Sequence, residues 1–519
     1  VGAQTVAVLL VAVAVAALAR RRGVSAPLLL VVVGLVGGLI PGVPTITLEP
    51  DVVLFVLLPP LLWSAGLESS YVNLRRNVHP IGMLAVGLPL VTTFAVGVVA
   101  FELVPDLTLA AALTLGAIVA PPDAVSATAI GRRLGLPRRM MTLLGGESLL
   151  NDATALTAYK VALAAAIGTA TGWDRTLGTF ALAVVGGVLV GVVLGRLIDA
   201  ARTRLDDPLA ESALGLVAPF LVYLIAEQVH GSGVLAVVAA ALVVGQRSTS
   251  ASYATRLQDD AVWKALQLLL ESFAFLLIGL QLPTVIGELA GISAATLVVA
   301  SAGVLATVIL VRIAWVFLIA YTPRLWGRST APASHLFIVA WAGMRGVVSL
   351  AAAFAVPVTT LPGDAFPGRP QLVFLTFVVV IGTLLLHGLT LPWLVRALGV
   401  GGGEAEVDAQ RAAIAQYRAS TAAIERLEQL LDEQRRSDRP SEVHERAGEV
   451  LRRWSTARGD AALHPGDTAA PVFRDLRLQM LAAERAALIQ ERDDGRIDDE
   501  VLRTLLHGLD LEEATLNRE

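Results

Sequence analysis

The sequence predicts an all-α polytopic membrane protein of about thirteen transmembrane helices, followed by a helical cytoplasmic tail. Of its 519 residues, 55% are hydrophobic and only 16% are charged, and the mean hydropathy is +0.69. Soluble domains do not have this composition. Charge is also unevenly spread: residues 1 to about 400 read as long apolar stretches, whereas residues 403 to 519 are dense in Glu, Asp and Arg. Finally, Lys and Arg alternate between successive loops in the way a multi-pass chain requires.

About 20 apolar residues are needed to cross ~30 Å of hydrocarbon. On that criterion spans fall near 2–19, 26–42, 51–68, 80–102, 107–131, 140–168 and 178–199. Further spans fall near 210–229, 232–247, 263–283, 290–321, 334–357 and 371–396. The first run, Gly2 to Ala19, has no basic segment before it and Arg20, Arg21 and Arg22 after it, the reverse of a secretory signal, so it reads as a retained span. One set of alternate loops carries Arg75, Arg76, Arg132, Arg133, Arg138, Arg139, Arg202, Arg204, Arg247, Arg256, Lys264, Arg324 and Arg328, besides Arg20 to Arg22. The other set offers only Arg175 and Arg369. Loops that stay in the cytoplasm keep their basic residues. The expectation is therefore a cytoplasmic (inner) membrane protein embedded in lipid, with its N-terminus outside and its C-terminus cytoplasmic.

The net charge of -4, with no basic stripe interleaved with aromatics, gives no sign of a nucleic-acid partner. The absence of cysteine excludes disulfides and thiolate metal sites.

Charged groups inside spans cost about 2.5–3.5 kcal/mol each on insertion scales and so mark function. In the fifth span Pro121 and Pro122 remove two backbone donors, which breaks the helix and frees carbonyls such as that of Pro122 as ligands. Asp123 then starts the following half-helix, where an anion is favoured. The plainer alternative is a proline kink with Asp123 as its cap. In the sixth span Ser148, Asn151 and Asp152 share one helical face as a hydroxyl, an amide and a carboxylate. These hard oxygens suit a monovalent or divalent cation. Burial disfavours the bare Asp152 anion, so a cation and a proton would bind it alternately. Glu147 lies about 140° around the helix from Asp152 and needs its own partner. Arg345, in the Gly343–Gly346 stretch that opens a second helix break, is expected to form a structural ion pair with it; Asp123 and Asp152 are the competing partners. Paired helix breaks point to a transporter site at the midplane.

Lys160 lies about 12 Å beyond Asp152 and is expected to line the outer vestibule or snorkel. Glu227, His230, Glu271, Arg312 and His387 read as boundary or packing residues near span ends. Gly186, Gly187, Gly191 and Gly195 allow close helix packing. A cation channel would show little proton coupling. An intramembrane hydrolase would need a histidine, lysine or second acid at matching depth for Ser148, and no mid-depth histidine is expected there.

The string Gly145 to Asp152, GGESLLND, resembles the signature of NhaP-type bacterial Na+/H+ antiporters and of the eukaryotic Na+/H+ exchangers. Leu57 to Leu62, APPDAV at Ala120 to Val125, Ala226-Glu227 leading to Ser232-Gly233, Glu271 to Leu276 and MRGVVSLA from Met344 agree in order. The resemblance covers nearly all of residues 1–400 and none of the tail. It implies inverted repeats, two crossed discontinuous helices, a homodimer and alternating access by a mobile core. It makes Asp152 the cation and proton carrier, Ser148 and Asp123 coordinating residues, Asn151 a stabiliser of the site, and Glu147 with Arg345 the core ion pair. It calls for no enzyme activity and no cofactor, with Na+ (or Li+) and H+ as cargo and K+ as the rival ion. Asn151 before Asp152 is associated with electroneutral exchange. Two departures are Pro122, where relatives often have Thr, and Trp63-Ser64-Ala65-Gly66, where some carry an acidic residue.

The tail opens at Gly401 to Gly403 and reads as helices near 404–437, 440–458, 471–493 and 496–516. Ile414, Tyr417, Ile424, Leu427 and Leu431 give it an amphipathic face, fit for a dimer contact or an unknown regulator.

Overall fold

The computed structural model describes residues 2–516 except 41–49, 70, 124–130, 132–133, 169–172, 206, 247–252, 290–291, 323–330, 362, 401–402, 437–441, 464–469, 495 and 497–498. Outside the described residues lie Arg132, Arg133, Arg247, Arg324 and Arg328 of the loop asymmetry, the Gly401-Gly402 start of the tail, and the half-helix expected after Asp123. The regular elements of the described chain are helices, with an isolated bridge between Thr359 and Ala365. It divides into two units, Val1–Gly402 and Gly403–Glu519.

The first unit opens with α1 (Gly2–Arg22), α2 (Ala26–Gly38) and α3 (Pro50–Glu68), followed by the short α4 (Tyr71–Arg76). The next apolar segment is α5 (Val78–Gly82), a π-helical turn at Met83–Gly87, and α6 (Leu88–Leu103). In this wider turn Met83 O accepts from the Leu88 N–H and also from the Trp315 Nε1–H at 3.0 Å. Then come α7 (Leu109–Val119), α8 (Arg138–Ala166), α9 (Trp173–Arg202), α10 (Pro208–Gln228), α11 (Gly233–Gln246), α12 (Tyr253–Gly287) and α13 (Ala294–Tyr321). Two half-length helices, α14 (Ala333–Trp341) and α15 (Val347–Phe354), precede α16 (Arg369–Ala397).

These helices fall on the apolar segments read from the sequence. By length and composition, six described stretches can cross a membrane: 78–103, 181–202, 208–228, 254–287, 294–321 and 369–397. The helix with the polar signature, α8, has 29 residues, about 43 Å at 1.5 Å per residue. It buries Glu147, Ser148, Asn151 and Asp152 against protein.

Two apolar clusters organise the unit. One gathers residues of α3, α9, α10 and α11, such as Trp63, Ile198, Val222 and Val237, with Leu149 and Ala153 of α8. The other gathers α6, α7, α13, α14, α15 and α16 with α1, α2 and most of α12. Small residues set the approach within the first: a Cβ on Gly191 of α9 would lie 2.3 Å from Ala236 O of α11. The glycine pattern therefore works as a packing device, as its spacing indicates.

The second unit comprises α17 (Gly403–Arg435), α18 (Glu442–Leu463), α19 (Ala470–Asp493) and α20 (Asp499–Leu516). The pairs α17–α18 and α19–α20 are joined by ion pairs, including Arg435–Glu445 at 2.6 Å and Arg477–Glu512 at 2.6 Å.

Candidate ion-binding site

Helix α7 stops at Val119 because Pro121 and Pro122 cannot donate to the preceding turn. Residues 120–123 continue without helix. Helix α14 stops at Trp341, and residues 343–346 are likewise irregular before α15 begins. The two breaks meet: the Asp123 N–H donates to Met344 O at 2.7 Å. Gly346 permits this approach, since a Cβ there would stand 2.7 Å from the Asp123 Cβ and Cγ.

Each half-helix ends in carbonyls with no partner in its own helix, and an arginine answers both ends. The Arg345 Nη1 donates to Ala120 O just past α7. Arg312 of α13 donates through Nε to Ala340 O at 3.0 Å and through Nη2 to Val339 O at 3.2 Å, at the end of α14. A cation at a helix C-terminus is also favoured by the helix dipole.

Arg312 further makes a two-pronged contact with Glu147, through Nη1 to Oε1 and through Nη2 to Oε2 at 2.9 Å. Both side chains are at most 2% exposed. This corrects the expected Glu147–Arg345 ion pair. Glu147 turns towards α13, away from the Asp152 face, and the guanidinium in reach is that of Arg312. The Nε and Nη2 of Arg345 carry no hydrogen bond. Its backbone N–H donates to Thr383 Oγ1 at 3.0 Å.

Arg312 is the residue that the sequence reading misplaced. It stands nine residues before the end of α13, about 13 Å deep, too far to snorkel, and that depth was the available signal. His387 is likewise mid-helix, fully buried against Trp341 at 5.0 Å.

On the other side of α8, Ser148 and Asp152 line a cavity of about 710 Å³ together with Pro121, Pro122, Asp123 and Ser349. Asp152 and Ser148 are 8% and 7% exposed. Ser148 Oγ and Asn151 Nδ2 donate to Pro122 O at 3.4 and 3.3 Å, so this carbonyl holds the signature face against the first break. The buried Asn151 Oδ1 has no donor. The structure thus brings together all five oxygen-bearing residues named from the sequence: Asp152, Asp123, Ser148, Asn151 and Pro122. Trp63 is fully buried, while its neighbours Ser64 and Ala65 line the cavity wall. Glu271, expected near a span end, is the nineteenth residue of the 35-residue α12. It accepts from Gln267 Nε2 at 2.7 Å and lines the same cavity. The exposed Arg20 and Lys264 mark the mouth. Lys160 meets Glu227 at 2.8 Å, so it is paired and not merely snorkelling.

The family model for the sodium/hydrogen exchanger, transmembrane, matches residues 6–397. The chain belongs to the sodium/hydrogen exchanger family. The exchanger is 34% identical over 514 residues to an uncharacterized Na(+)/H(+) exchanger of Mycobacterium tuberculosis, covering 96% of this chain and 93% of that one. It is 31% identical over 385 residues to a sodium, potassium, lithium and rubidium/H(+) antiporter of Bacillus pumilus, covering 71% and 57%. Its fold is that of the sodium proton antiporter MjNhaP1 from Methanocaldococcus jannaschii: the TM-score is 0.62 at 19% identity, over 77% of this chain and 98% of that one. The exchanger is accordingly a multi-pass membrane transporter.

Proposed function

We propose that this exchanger swaps Na+ (or Li+) for H+ across the cytoplasmic membrane, one for one, by alternating access, with cation and proton competing for Asp152. The observation that carries this reading is a buried carboxylate at the inner end of a cavity, flanked by Asp123 and Ser148 where two helix breaks meet. Asp152, Asp123 and Ser148 would supply cation ligands. Asn151 would hold the face in place, and the Pro122 carbonyl would join when its donors turn away.

The local charge supports electroneutrality. Glu147 is paired with Arg312, which leaves Asp152 as the carboxylate that this reading gives to the cargo, one negative charge. One monovalent cation or one proton neutralises it, and neither leaves a net charge to carry across the membrane. The two arginine-capped breaks support a fold of inverted repeats with crossed helices within the thirteen-span reading. The basic mouth, at Arg20 and Lys264, supports a cytoplasmic opening, an outside N-terminus and a cytoplasmic tail. A homodimer completes the reading, with Glu147 and Arg312 in place of Glu147 and Arg345 as the core pair.

K+ is the rival cargo, because oxygen ligands alone do not set ion size and one relative is named for several alkali cations. The test is Na+-driven proton flux in proteoliposomes with the membrane potential clamped at several values. Electroneutral exchange gives rates independent of potential; a dependence on potential contradicts it.

A further inference from the structure

Beyond Asp152, away from the cavity mouth, the path along α8 is closed in two layers. The inner layer is apolar: Ala153, with the half-buried Leu156, belongs to one cluster with Val222, Val234 and Val237. The outer layer is ionic. Lys160 Nζ lies 2.8 and 2.9 Å from the two carboxylate oxygens of Glu227, near the end of α10. Glu227 also accepts the N–H of Gly233, the first residue of α11, at 3.1 Å. It is therefore fixed to the helix pair against which α8 closes.

We propose that Lys160 and Glu227 form the gate of the cation path on the face opposite the cavity mouth, closed when the cavity is open and broken when it shuts. This rests on the antiport reading, in which a carrier exposes its site to one side at a time. Lys160 sits on the same helix as the binding carboxylate, so any displacement of α8 that opens the far side must separate it from Glu227. The strength of the pair suits a gate. The side chains are 56% and 33% exposed, and water-accessible pairs of this kind shift a two-state ratio by about fivefold at most. A fully buried pair would lock the carrier in one state. The rival explanation gives Glu227 only a structural task, capping α11 through Gly233.

The full chain contains no cysteine, so one introduced thiol reports alone. Gly145→Cys suits this purpose: Gly145 lines the cavity, and an added Cβ meets nothing within 4 Å. Val348→Cys, also in the cavity lining, is the second reporter. A charged, membrane-impermeant methanethiosulfonate is added from either side in right-side-out and inside-out vesicles. The expected result is labelling from the mouth side in both parents. Lys160→Glu should raise labelling from the opposite side by about fivefold, and the swap Lys160→Glu with Glu227→Lys should restore the parental rate. Glu227→Gln keeps an acceptor for Gly233 and removes the charge, so it too should raise opposite-side labelling. Unchanged opposite-side labelling in Lys160→Glu, or a Glu227→Gln variant indistinguishable from its parent, overturns the gate. Labelling needs no ion flux. Failure of cation-driven proton flux in the unsubstituted protein therefore counts against the antiport reading and not against the gate.

Discussion

Arg312→Leu is expected to be the most destabilising single substitution in the transport unit. The change leaves Glu147 buried at 1% exposure with no counter-charge and strips the donors from Val339 O and Ala340 O. Breaking one side of a buried pair costs about 3–5 kcal/mol. Each orphaned buried carbonyl adds about 1–3 kcal/mol. The total is comparable with the roughly 5–15 kcal/mol that separates folded from unfolded domains, so the variant should yield little folded protein. Replacing both charges, Glu147→Leu with Arg312→Leu, removes the unpaired anion and should recover much of the loss, because apolar substitutes for a buried pair are often tolerated. Melting temperature in detergent, followed by size-exclusion fluorescence, gives the double-mutant cycle. The coupling between residues 147 and 312 should reach about 2–3 kcal/mol, and that between 147 and 345 should stay below about 1 kcal/mol. A larger coupling with Arg345, or an Arg312→Leu variant that melts with the parent, would refute the reasoning.

Gly346→Ala places a methyl 2.7 Å from Asp123; exchange should fall at least about tenfold while the protein still elutes as a single folded species, and unchanged exchange would argue against the close meeting of the breaks. Ending the chain at Gly402 should leave a transport unit that folds and exchanges cations, since residues 403–519 cluster as their own unit; loss of the folded membrane unit would contradict that division. In the tail, the Arg435 hydrogen bond holds the Glu445 carboxyl below its usual range. A depressed carboxyl stabilises above its unfolded pKa and loses that contribution as pH falls through the folded value. Circular dichroism of the exchanger's tail should therefore be flat from pH 8 to 5 and fall only below about pH 4, and Glu445→Gln should reduce the acid sensitivity.

Much of the site was legible because its signals are local. Pro121-Pro122 and Gly343–Gly346 break helices wherever they stand, and Ser148, Asn151 and Asp152 share a face by helical period alone. Partner identity was not legible. Glu147 and Arg312 are 165 positions apart, and hydrophobic periodicity says nothing about which guanidinium two distant helices bring together. Arg345 was the attractive choice because it lies in an evident break. There its donor serves the carbonyl of Ala120, a group with no signature in a sequence. Glu271 and His387 read as span-end residues because soft span boundaries blur depth by a turn or more; Arg312 shows that counting residues to the helix end recovers that depth.

The measurement that tests the central claim most directly is proton movement in proteoliposomes carrying an internal pH dye, after addition of Na+, Li+ or K+, with a protonophore control. The intact protein is compared with Asp152→Asn. The account predicts cation-driven proton flux in the intact protein and none in the variant, with the variant folded to the same extent. Equal flux in both would contradict a carrier role for Asp152, and flux in neither would contradict antiport itself.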